Sequence, residues 1–157
     1  MIAVVCGGAS SGKSAFAEQL ALSLPAPHLY VATMRHGDGE TEKRIERHKR
    51  QRAGKGFITV ELAHEDFGDR SRTGTVLLED LSNLVLNERL GLLPDILDWE
   101  NVVVVANELG SDGVQYDDFT QGFLDQVGKA ARAIADEADL VVEVVAGCPN
   151  AVKGTLS

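Results

Sequence analysis

Ile2-Ala3-Val4-Val5-Cys6-Gly7-Gly8-Ala9-Ser10-Ser11-Gly12-Lys13-Ser14-Ala15-Phe16-Ala17-Glu18-Gln19-Leu20 decides the fold. Ile2 to Val5 is a short apolar run of the kind that buried strands use. Gly7 to Ser14 fits G-x-x-x-x-G-K-[ST] at every fixed position. Ala15 to Leu20 reads as the opening of a helix. Strand, glycine turn and helix in this order turn a pattern match into a phosphate-binding loop. Glycines let the backbone curl around an anion with no Cβ in the way. The freed N–H groups and the helix N-terminus then face phosphate. Gly7, Gly8, Ala9, Ser10, Ser11, Gly12, Lys13 and Ser14 are therefore expected to contact a nucleotide. Lys13 would reach its β- and γ-phosphates, and the Ser14 hydroxyl would hold Mg²⁺.

Outward from the loop, the chain has the size of one domain. Its 157 residues are 44% hydrophobic and 25% charged, as in an ordinary globular chain. A single phosphate-loop domain over residues 1–157 is expected. The net charge of −9 argues against nucleic-acid or anionic-membrane binding. No apolar run approaches membrane-spanning length. No basic segment precedes the first apolar run, so it does not read as a signal peptide, and a cytoplasmic protein is expected. Cys6 and Cys148 lie in no metal-ligand pattern and are expected to be small buried residues.

Apolar runs alternate with helical patterns. This predicts an α/β, P-loop NTPase-type fold in three layers with a mostly parallel central sheet. Strands are expected near Ile2–Cys6, His28–Thr33, Phe57–Leu62, Thr75–Glu79, Asn101–Ala106 and Leu140–Val145. Helices are expected near Lys13–Leu24, Glu40–Arg52, Ser82–Leu90 and Asp118–Ala138, with a short one before Asn101. The polar loops 35–40 and 110–117 follow strand ends, where open α/β sheets place their ligands.

Two further features carry chemistry. Val76-Leu77-Leu78-Glu79-Asp80 is an apolar strand ending in two acids. Glu79 is the better partner for Mg²⁺ beside Ser14, and Asp80 is suited to cap the next helix. Asn107-Glu108, after another apolar run, is a second polar strand end. Lys43, Arg44, Arg47, Lys49, Arg50, Arg52 and Lys55 are seven of the fifteen cationic residues, gathered around His48. In a helix, Arg44, His48 and Arg52 are expected to share one face at i, i+4 spacing. Neighbouring cations disfavour a protonated imidazole and bind the phosphates that it would attack. A solvated basic face, or an arginine-bearing lid, reads the same pattern differently. His28, His36 and His64 are expected to be structural or solvated, with His64 starting a helix. No zinc spacing or nucleophile elbow is present.

Together these pieces resemble the bifunctional adenosylcobinamide kinase/adenosylcobinamide-phosphate guanylyltransferase family. The carriers are Gly7 to Ser14 with Ala17-Glu18, Tyr30-Val31-Ala32-Thr33, Arg44-Ile45-Glu46-Arg47-His48-Lys49 and Val76-Leu77-Leu78-Glu79 with Asn87. Val105-Ala106-Asn107-Glu108-Leu109-Gly110, Ala135-Asp136-Glu137-Ala138-Asp139 and Val145-Ala146-Gly147 follow in the family's order. Ser10, Gln115 and Ala131 stand where the family commonly has other residues. The resemblance implies phosphorylation of adenosylcobinamide by GTP or ATP. It then implies transfer of GMP from GTP to adenosylcobinamide phosphate through a GMP-histidine on His48. By the same resemblance Ala32, Thr33, Met34, Lys49, Arg50, Gln51, Arg52, Glu61 and Glu79 contact nucleotide, and the protein is a homotrimer. Another small-molecule kinase, or a GTP/ATP-binding module without turnover, is the competing expectation.

Overall fold

The computed structural model describes residues 1–62, 67–68, 70–109 and 113–157. His64 and Gly110 lie outside the described residues. Strand β1 (Ile2–Gly7) runs into helix α1 (Lys13–Ser23), and β2 (His28–Ala32) follows. Then come α2 (Gly39–Arg52), β3 (Phe57–Glu61), β4 (Thr75–Glu79), α3 (Leu81–Leu86) and α4 (Leu93–Leu97). The chain continues through β5 (Asn101–Asn107), α5 (Asp118–Glu137), β6 (Leu140–Val145) and β7 (Cys148–Lys153).

The strands form one sheet in the order β3-β2-β4-β5-β1-β6-β7. The first six are parallel, and β7 alone pairs antiparallel, with β6. The inner strands β1, β2, β4 and β5 alternate their side chains between two buried faces. Ala3, Val5, Tyr30, Leu77, Val103 and Val105 pack with Ala17 and Ala21 of α1. Val4, Val31, Leu78, Val102 and Val104 pack on the other face with Leu81, Leu84, Ile96 and Ile134. Burial on both faces explains why the strands read as unbroken apolar runs. α2 is different: it buries only Ile45 and Arg52.

The expected elements are all present, and their limits differ where caps intervene. α3 stops at Leu86 because Glu88 takes a left-handed φ of 56°. Residues 90–92 then form a 3₁₀ turn that leads into α4. β7 was not anticipated from its sequence, which carries Pro149 and Asn150. An edge strand tolerates both. It starts two residues after β6, across Ala146 (φ 48°) and Gly147 (φ 79°), a turn that matches hairpin twist. Cys148 opens this edge strand and is exposed, and Cys6 is only partly buried, so the expectation of two buried thiols is corrected. No helix among the described residues is long and apolar enough to cross a membrane.

Candidate active site

The phosphate loop is made by steric necessity as much as by pattern. Gly12 caps α1 at φ 92°, and a Cβ there would sit 3.3 Å from Gly147 Cα. A Cβ on Gly7 would meet the Val144 carbonyl oxygen at 2.6 Å. The turn after β6 therefore braces the loop, and Gly147 N–H donates to Ser11 O at 2.7 Å. Lys13 is buried, and its Nζ donates to Gly8 O at 3.1 Å.

Facing the loop is a cleft of about 570 Å³. Ser10 to Ser14 form one wall, and Arg44, Arg47, His48, Gln51 and Lys55 form the other. The sequence segregates its cations so that the loop and the basic helix share one cavity. Asp38 starts that helix by accepting Thr41 N–H at 2.9 Å, a bond that holds its carboxyl below the usual range.

Glu79 joins the two walls. Ser14 Oγ donates to Glu79 Oε1 at 2.6 Å. His48 Nδ1 lies 3.7 Å from the same oxygen. Tyr30 donates its hydroxyl to Glu79 Oε2 at 3.2 Å. The charge that faces His48 is thus a carboxylate, where the sequence pointed only to cations. Ser14 and Glu79 are oxygen donors of the hard type that Mg²⁺ prefers, so the pair fits that ion. Among the described residues no cluster of three His, Cys, Asp or Glu could hold a metal. A metal here would take most of its ligands from phosphate and water, as Mg²⁺ usually does.

The other residues singled out in the sequence divide between two places. Ala32, Thr33, Met34, Arg52, Glu61 and Glu79 line a small pocket beside the main cleft, with Tyr30, His36 and Ile45. Thr33 is buried, and its Oγ1 accepts Asp80 N–H at 2.9 Å, fixing the end of β4 against β2. Asn87 Nδ2 donates to Thr33 O at 2.6 Å. Arg52 does not share the cleft with Arg44 and His48. It lies over the Tyr30 ring, 3.3 Å from the centroid, because eight residues along a helix leave about 80° of rotation. Its Nε and Nη1 are buried without a hydrogen-bond partner. Lys49 pairs with Glu46 and reaches Glu61 at 4.0 Å, and Arg50 is exposed.

Asp80 does cap α3, accepting Asn83 N–H at 2.8 Å. Asn107 Nδ2 donates to Asp80 Oδ2 at 3.0 Å, so it braces that cap. Glu108 is exposed. Two residues of the site escaped the sequence reading. Tyr30 sits in an apolar strand and looks like core. Lys55 donates to Glu18 Oε1 at 2.9 Å and ties the turn after α2 to α1, and its only sequence signal was membership of the basic run. His36 bridges Glu42 (3.0 Å) and Glu61 (3.4 Å), linking the loop after β2 to α2 and β3.

Comparison with known proteins adds a family. The profile of the cobinamide kinase / cobinamide phosphate guanyltransferase family matches residues 3–95 and 98–152. The bifunctional adenosylcobalamin biosynthesis protein CobP of Pseudomonas aeruginosa is 32% identical over 168 residues, covering 96% of this chain and 96% of its own. The bifunctional adenosylcobalamin biosynthesis protein CobU of Salmonella typhimurium is 30% identical over 190 residues, covering 98% and 100%. The protein of that description from Escherichia coli is 30% identical over 186 residues, with the same coverage.

Proposed function

The chain belongs to the cobinamide kinase / cobinamide phosphate guanyltransferase family and is a bifunctional enzyme of adenosylcobalamin biosynthesis, and on that premise we propose that both reactions use the cleft between the phosphate loop and α2, with His48 as the nucleophile of the second. One observation carries this reading. Ser14 and His48, from the two walls of the cleft that Lys13 also lines, converge on one oxygen of Glu79.

In the kinase reaction, the loop N–H groups and Lys13 bind the β- and γ-phosphates of a nucleoside triphosphate. The hydroxyl oxygen of adenosylcobinamide attacks the γ-phosphorus, the bond to the β–γ bridging oxygen breaks, nucleoside diphosphate leaves with the electron pair, and the hydroxyl proton passes to solvent. Ser14 and Glu79 would hold Mg²⁺, which neutralises charge on the transferring phosphates. In the guanylyl reaction, a ring nitrogen of His48 attacks the α-phosphorus of GTP. The N–P bond forms, the bond to the bridging oxygen breaks, and pyrophosphate leaves with the electron pair. An oxygen of adenosylcobinamide phosphate then attacks the same phosphorus and returns the pair to nitrogen. Two displacements with a good leaving group replace one hard one. Arg44, Arg47, Gln51 and Lys55 face the phosphates across the cleft. Ala32, Thr33, Met34, Arg52 and Glu61 serve the rest of the nucleotide, and the partnerless N–H groups of buried Arg52 suit an acceptor on it. A homotrimer is part of the same reading, and light scattering tests it.

The decisive experiment is incubation with GTP and Mg²⁺, followed by intact mass and peptide mapping. We expect an acid-labile GMP adduct on His48. A His48→Ala protein that still forms the adduct overturns the assignment.

A further inference from the structure

We propose that Tyr30 is a positioning residue for the guanylyl transfer: its hydroxyl fixes Glu79, and Glu79 in turn faces His48 Nδ1 so that Nε2 is the attacking nitrogen. The inference rests on His48 being the nucleophile and adds how its ring is held.

The geometry is a short chain of contacts. Tyr30 is 2% exposed and makes its hydroxyl bond to Glu79 Oε2 at 3.2 Å. Its ring is held from one side by the Arg52 guanidinium, 3.3 Å from the centroid. Phe57 meets it edge-on, with centroids 6.4 Å apart. A residue pinned in this way has one orientation for its hydroxyl oxygen. With Oε2 committed to Tyr30, Glu79 has Oε1 left for Ser14 and for His48. Burial pushes the Tyr30 pKa up, and the Glu79 carboxylate pushes it further.

The consequence lies in the imidazole. A neutral ring carries its proton on one nitrogen, and the group beside that nitrogen selects the tautomer. Glu79 Oε1 stands 3.7 Å from Nδ1, so the carboxylate favours Nδ1–H and leaves the lone pair on Nε2. As Nε2 forms its bond to the α-phosphorus, the ring becomes cationic. The proton stays at Nδ1, beside a carboxylate that balances the new charge. When the acceptor oxygen later displaces the nitrogen, the electron pair returns to Nε2 and the same tautomer is restored. Without the Tyr30 hydroxyl, Oε2 is a buried acceptor with no donor, and the carboxylate rotates to find one.

Two measurements test this. The first labels histidine with ¹⁵N in the wild-type protein, forms the adduct with GTP, and reads ³¹P–¹⁵N coupling by NMR. Attachment at Nε2 is expected. Attachment at Nδ1 overturns the inference but leaves His48 as nucleophile, whereas no histidine adduct at all overturns both. The second is Tyr30→Phe, which keeps the ring under Arg52 and removes one oxygen. Loss of an outer partner of this kind costs about 10- to 100-fold, so we expect single-turnover adduct formation at saturating GTP to slow by about tenfold in folded protein, with a lowered melting temperature because Glu79 Oε2 loses its buried donor. A Tyr30→Phe protein that forms the Nε2 adduct at the wild-type rate overturns the inference. If the variant proves too unstable, the coupling measurement on wild type decides alone.

Discussion

In the proposed site, the two walls of the cleft would hold phosphate by opposite means. The loop from Gly7 to Ser14 uses backbone, and α1 behind it buries Ala17 and Ala21 in the sheet face. α2 uses side chains and buries only Ile45 and Arg52. Its ties to the rest are mostly polar contacts to carboxylates: Lys55 with Glu18, His36 with Glu42, Lys49 with Glu61, His48 with Glu79. A backbone cradle is fixed by sterics and works for any polyphosphate. A side-chain array can present a nucleophile, but each contact is screened by solvent and contributes little. The difference teaches that one wall is rigid by packing and the other is held by electrostatics.

Mutating each wall sharpens or breaks that contrast. Lys13→Ala removes the buried ammonium of the rigid wall, and we expect both reactions to fall by about 10²-fold or more. Assays of γ-phosphoryl transfer and of GMP-histidine formation check this. Loss of only one would mean that the two reactions do not share the loop. Gly12→Ala comes next. An L-residue at a left-handed φ costs about 1–2 kcal/mol, and its Cβ also presses on Gly147. Denaturant unfolding should show that loss, together with weakened nucleotide binding.

On the softer wall the effects shrink. Lys55→Ala separates the turn after α2 from Glu18, whose side chain is 11% exposed. A half-exposed pair of this kind is worth about 0.5 kcal/mol, and raised salt should reproduce much of the change. Amides of α2 should exchange with solvent faster than those of α1. Equal protection of the two helices would refute the contrast.

The smallest effect is one of pH. Its hydrogen bond with Glu42 raises the His36 pKa and lowers that of Glu42. His36 contributes fully below the ordinary histidine value, and the contribution is lost as pH rises through its raised folded value. Glu42 contributes above the ordinary glutamate value, and that is lost as pH falls through its lowered one. The first turn of α2 should be best ordered between the two. Histidine NMR titration together with amide exchange tests this, and His36→Gln should flatten the profile.

How much was legible depends on the range of the interactions. The loop, its strand and α1 are local, and the stretch from Ile2 to Leu20 is enough to place them. The basic run and Glu79 were also visible, since charge at a strand end stands out. The carboxylate beside His48 was not visible, because 31 residues of chain separate the pair. Tyr30 was hidden for a different reason. A buried phenol in an apolar strand has the same sequence signal as core, and only the third dimension shows where its oxygen points. Arg52 was grouped with Arg44 by helical spacing, but the drift of 3.6 residues per turn carries it onto another surface. β7 was missed because edge position, not propensity, admits its proline.

The brace on the phosphate loop has a consequence for biosynthesis. β1 pairs with β5 and β6, Ile2 N–H bonds to the Asp139 carboxylate at 2.8 Å, and Ser11 O waits for Gly147 N–H. Gly7 to Ser14 are synthesised before Asn107, Val144 and Gly147, the residues that brace them. A nascent chain therefore carries the motif without its braces until β6 and the turn after it have been made. Nucleotide can act as a folding ligand only once the chain has been extended past Gly147.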